Sequence, residues 1–99
     1  MKVIELLTVE SRWTRYAMGR DVNDHAIFYS HFLINVPDCF CLVGAVYFCY
    51  PDPVERNAVL EKLREAASLG RNNQSLADWN DSESTTFQMV RSVIVAANV

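Results

Sequence analysis

Apolar side chains recur at helical spacing near both ends of the chain and crowd into one unbroken run in the middle. That pattern predicts most of the elements. Val3, Leu6, Leu7 and Glu10 follow one another without an intervening glycine or proline, which predicts a short amphipathic helix over residues 3–10. From Trp13 the pattern changes. Tyr16 to Asp21 leads into the turn formers Val22-Asn23-Asp24-His25 and then into apolar Ala26 to Tyr29, which predicts a β-hairpin turning near Asn23 and Asp24. That turn lacks the glycine usual in a tight loop, but Asn and Asp both tolerate positive φ.

Between Pro37 and Pro51 runs the segment Asp38 to Tyr50. Its aromatic and β-branched content suits a strand, but its length exceeds the usual four to eight residues, so the expected element is a helix buried on most of its circumference. Gly44 costs such a helix roughly 1 kcal/mol relative to alanine, so another backbone or a ligand is expected to pass close to it. The next helix has a clear start, with Asp52 as N-cap, Pro53 in the first turn and Glu55 three residues after the cap. Val59 or Leu60, Leu63, Ala67 and Leu69 form its expected buried stripe. Gly70 is placed to end it, ahead of a polar loop over residues 71–74. Ser75 to Asp78 predicts a short capped turn before Trp79-Asn80-Asp81. Thr85 with Gln88 predicts a capping box for a last helix that presents Phe87, Val90, Ile94 and Ala97 on one face. The expected fold class is mainly α: a small helical domain with one β-hairpin between the first helix and the central buried helix, an α+β arrangement being the alternative.

The chain has 99 residues, enough for one core, so one domain over residues 1–99 is expected. Its apolar fraction of 51% excludes global disorder and exceeds what so small an interior can hide, which points to a homodimer. With a net charge of −3 and its nine basic residues scattered from Lys2 to Arg91, the chain has no basic stripe for a phosphate backbone, and nucleic acid is not an expected partner. The N-terminus does not read as a signal peptide, and the apolar run is far short of the ~20 residues that span a bilayer. No membrane association is expected, and the expected location is cytoplasmic. Cys39, Cys41 and Cys49, an odd number in one apolar run, are expected to be free thiols, at least two of them buried, with neither a metal nor a cofactor.

Three short patterns stand out: Arg20-Asp21 in the hairpin, Cys41-Leu42-Val43-Gly44-Ala45 on the central helix, and Trp79-Asn80-Asp81 before the last helix. Together with Trp13, their order resembles an uncharacterised bacterial domain family of unknown function, over most of the chain from about Leu6. The stretch from Phe28 to Val36 departs from that pattern: it is apolar and aromatic where the family is rich in proline and aspartate. The resemblance implies an architecture and a shared site, but no activity.

Each pattern has two readings. Trp79-Asn80-Asp81 is either a turn anchor, with the indole at the core edge, or a set of ligand-binding groups with Asp81 held ionised. Arg20-Asp21 is either an exposed turn pair or an arginine fork directed at Asp81 or an anionic ligand. Cys41 is either a small buried hydrophobe or a nucleophile with His25 or His31 as base and Asp21 or Asp81 as orienting carboxylate.

The reading that demands least is a non-catalytic homodimeric module that binds a small molecule or a protein, with Trp13, Arg20, Asp21, Trp79, Asn80 and Asp81 around the site and no confident catalytic residue. A thiol-dependent enzyme using Cys41, with His25 and Asp81 as candidate partners, is the first alternative. A small regulatory protein of a mobile or accessory gene system is the second.

Overall fold

The computed structural model describes residues 1–69 and 75–99. Among these the fold is mainly helical: five α-helices and a small three-stranded sheet. Helix α1 (Val3–Leu6) is followed by a 3-10 turn, Glu10–Arg12, and then by strands β1 (Gly19–Arg20) and β2 (Ala26–Ile27). A second 3-10 turn, Tyr29–His31, precedes β3 (Cys39–Phe40). Helices α2 (Leu42–Cys49), α3 (Pro53–Ala66), α4 (Leu76–Asp81) and α5 (Phe87–Ala97) complete the chain. No helix among the described residues is long and apolar enough to cross a membrane.

The hairpin forms where the sequence places it. β1 pairs antiparallel with β2, Gly19 opposite Ile27 and Arg20 opposite Ala26, and Asp24 in the turn takes φ 66°. Asp21 braces the turn by accepting from the N–H groups of Asn23 and His25, both at 2.9 Å. The other edge of β1 holds β3, with Gly19 opposite Phe40 and Arg20 opposite Cys39. Trp13 then bridges to Phe40 beyond it.

β3 corrects the expected central helix. The apolar run is divided: its first residues are extended and bonded to β1, and the helix begins only at Leu42. Cys41 is its N-cap, with Sγ accepting from Gly44 N–H at 3.2 Å in place of the usual cap oxygen. Gly44 meets the expected backbone approach, because a Cβ there would lie 1.8 Å from the Met18 carbonyl oxygen.

Other boundaries also move. The first helix stops at Leu6 rather than near Glu10, where the β-branched pair Thr8-Val9 disfavours its continuation and Val9 is extended. Asp52 caps α3 through its bond from Glu55 N–H at 3.0 Å. That helix ends at Ala66, with Ser68 left-handed at φ 59°, and the expected stop at Gly70 lies outside the described residues. Trp79-Asn80-Asp81 is not a loop but the last turn of α4, which Ser75 caps. Thr86, not Thr85, caps α5 by accepting from Met89 N–H, while Thr85 is buried.

The core gathers Val3 and Leu7, Phe40, Leu42 and Val46, Leu63, and Val90 and Ile94, so every helix except α4 places a large apolar side chain at its centre. Leu76 adds α4 at its edge. Arg91 ties α5 to the N-terminal helix by donating to the carbonyls of Ile4 and Leu7, at 2.9 and 3.2 Å.

Candidate functional site

Four of the predicted site residues, Trp13, Arg20, Asn80 and Asp81, meet at the chain segment Trp13 to Tyr16. Asn80, wholly buried on the last turn of α4, is the hub. Its Oδ1 accepts from Trp13 Nε1 at 2.7 Å and from Leu42 N–H at 3.0 Å; its Nδ2 donates to the Thr14 carbonyl at 3.1 Å and to Asp81 Oδ1 at 3.0 Å. A carboxamide has two acceptor positions and two donors, so Asn80 is saturated from within the protein. Leu42 N–H is one of the donors a helix start leaves orphaned, so Asn80 also helps to cap α2. Asp81 Oδ1 accepts a further bond from Tyr16 N–H at 2.9 Å.

Arg20 holds the same segment from the hairpin side. Its Nε donates to Thr14 Oγ1 at 3.1 Å and Nη2 to the Arg15 carbonyl at 3.2 Å. Nη1 donates to the Asp24 carbonyl at 3.1 Å, with the Asp24 carboxylate 3.8 Å from Nε. The expected Arg20–Asp81 pair is therefore not what joins the hairpin to α4: the two residues grip one segment from opposite sides. The Arg15 guanidinium lies 4.6 Å over the Trp13 ring and donates to the Thr85 carbonyl.

The remaining candidates stand elsewhere. Asp21 is used in the hairpin turn, beside His25, whose side chain is largely exposed. Trp79 follows Asp78 on α4 and precedes the hub by one residue, about 100° around the helix. It lines a separate groove with Ala67, Thr86, Met89 and Val93.

The three cysteines are free thiols, but only Cys41 is buried; Cys39 and Cys49 are half-buried because β3 and the end of α2 lie nearer the surface than a continuous central helix would. Burial pushes the Cys41 thiol up to about 11, with the nearby Asp81 carboxylate adding to the rise. Burial also pushes Cys49 up to about 11. A nucleophile needs the opposite shift. Among the described residues no group of three His, Cys, Asp or Glu side chains is placed to hold a metal ion.

Cys41 in the native protein is accordingly expected to resist iodoacetamide at pH 8 and to label readily once the chain is unfolded. The raised Cys41 and Cys49 thiols favour the protonated folded state, and burial shifts Cys39 in the same direction. Their contribution to stability is complete below the unfolded thiol value of ~8.5 and is lost as the pH rises through about 11. Stability measured between pH 8 and 11 should fall; fast native labelling of Cys41 would contradict the assignment.

One feature escaped the sequence reading, and a second was marked there only as a departure from the resembled pattern. Tyr16 takes φ 68° and leaves its ring exposed, bordering both an apolar cleft of about 380 Å³ and a smaller recess beside Cys41 and Asp81. No local pattern marks it, because its backbone is fixed by Asp81 from the far end of the chain. The second feature is an exposed apolar segment. Phe28, Tyr29, Leu33, Ile34 and Val36 all face solvent, Leu33 at 94% and Ile34 at 87%. Its signal was present in the uncharged stretch that departs from the resembled pattern.

A family of unknown function, DUF6197, has a sequence model that matches residues 2–98. No curated protein and no solved structure matches the chain.

Proposed function

The chain belongs to DUF6197, a family of unknown function, and from its surface and chemistry we propose that it is a non-catalytic binding module that acts as a homodimer through the segment Phe28 to Val36. The observation that carries this reading is the outward set of five large apolar side chains in nine residues. Phe32, between them, is buried and packs edge-on against Phe40 with centroids 5.5 Å apart, so it pins the segment while Leu33 and Ile34 point away from the core. Aromatic side chains carry ~150–250 Å² each. The five together expose several hundred Å² per chain, approaching the ~800 Å² per partner of a standard interface.

The occupant that fits is a second copy. A two-fold contact sets a patch against itself, so a charged patch on a chain of net charge −3 would repel its own copy. From Ala26 to Pro37 there is no Asp, Glu, Lys or Arg. The buried, unionised Cys41 thiol and the saturated Asn80 amide support a structural role for the motifs over a thiol-dependent reaction. Free thiols accord with a reducing, cytoplasmic location.

Leu33→Asp places two like charges across the two-fold and is expected to raise the dimer dissociation constant by about a hundredfold or more, a shift of the size a central interface residue produces. At concentrations where both proteins are monomeric the melting temperature should be unchanged, because Leu33 packs on almost nothing in its own chain. An unchanged dissociation constant would exclude this segment as the contact.

A further inference from the structure

Among the described residues four non-glycine positions have positive φ: Tyr16, Asp24, Ser68 and Asn98. Asp and Asn accept this conformation readily and serine is small, but a bulky residue there is an outlier that glycine or asparagine would relieve. Within the chain only the Tyr16 backbone is compensated, its N–H donating to Asp81. The residue is 69% exposed, and neither its ring nor its hydroxyl has a partner among the described residues. Strained residues that persist without a packing role cluster at ligand clamps.

The ring stands at the rim of the apolar cleft. Phe28 and Ala26, also exposed, line it with half-buried Ala17 and Met18, and Ile27 is its buried lining residue. At about 380 Å³ the cleft lies at the small end of the ~300–1,000 Å³ typical of ligand sites. None of its six lining residues is charged, two offer aromatic faces, and Met18 supplies a thioether suited to an aromatic ring.

We propose that this cleft binds a small, uncharged aromatic molecule and that Tyr16 is the residue that recognises it. The motif network then has a functional purpose beyond the core: Asn80 positions Asp81, and Asp81 holds Tyr16 in the conformation that presents its ring. This goes beyond the dimer reading and does not rest on it, although Phe28 borders both surfaces.

The test is a titration of the isotope-labelled chain with indole, following backbone amide shifts, with indole-3-acetate as the charged counterpart. Expected are saturable shifts confined to residues 16–18 and 26–28, and weaker binding of the charged analogue. Tyr16→Gly should weaken indole binding at least tenfold without lowering the melting temperature, because glycine adopts φ 68° freely. Ala26→Trp, filling the cleft from an exposed position, should abolish the shifts. Equal indole binding by Tyr16→Gly, no saturable shift at the cleft, or a marked loss of melting temperature in Tyr16→Gly would each overturn the proposal. Saturable binding in Leu33→Asp but not in the wild-type chain would instead give the cleft to a side chain of the second copy, and would overturn it equally.

Discussion

Asn80→Leu is expected to lose about 3–5 kcal/mol of stability, a large part of the ~5–15 kcal/mol available to a domain. The loss comes from what the substitution leaves behind. Trp13 Nε1, Leu42 N–H and the Thr14 carbonyl all lose their bonds to the carboxamide. Each buried group so stranded costs ~1–3 kcal/mol, and the isosteric but apolar replacement recovers none of it. Asn80→Asp should be nearly as damaging, because it keeps the acceptor side but sets a carboxylate oxygen against Asp81 and the Thr14 carbonyl, where Nδ2 now donates. Urea denaturation of both variants checks this. A loss below about 1 kcal/mol for Asn80→Leu would show that the network contributes little, and that water or a rearranged α4 replaces it.

Gly44→Ala is the second large effect, and its sign is opposite to the one helix propensity gives. In an isolated helix the change would gain ~1 kcal/mol. Here the new methyl group would fall 1.8 Å from the Met18 carbonyl oxygen and 2.6 Å from its carbon. Those atoms are backbone, tied down by the Cys41 N–H bond to the same oxygen at 3.2 Å, so no flexible side chain can move aside. The loss should reach about 3 kcal/mol, the upper end for overpacking. Relief would have to separate α2 from the segment before β1, which would open the recess at Cys41. A denaturation midpoint equal to or above that of the wild-type chain would mean that α2 and residue 18 are not in contact.

The need for close approach at Gly44 was legible in the sequence because a glycine inside an apolar run has a cost that something must justify. The start of α3 was legible for a similar reason: Asp52, Pro53 and Glu55 act on neighbours three residues away at most. β3 was not legible, because Cys39 and Phe40 become a strand only by pairing with Gly19 and Arg20, a partnership of sequence separation about twenty that no local periodicity encodes. The same limit explains Arg20 and Asp81. Their importance could be read, but both bind the backbone between Thr14 and Tyr16, and main-chain partners leave no side-chain signature. Tyr16 was invisible as a strained position because tyrosine is a residue type that ordinarily avoids positive φ.

The motif residues serve as a scaffold, and recognition falls to the surfaces that the scaffold holds outward. The two-fold contact through Phe28 to Val36 is open to sedimentation equilibrium of the unaltered chain over a concentration series. The mass is expected to rise with concentration to twice the chain's 11.3 kDa and then stay there, as a closed two-fold interface requires. A mass of 11.3 kDa at every concentration would contradict it, and so would continued growth past the dimer.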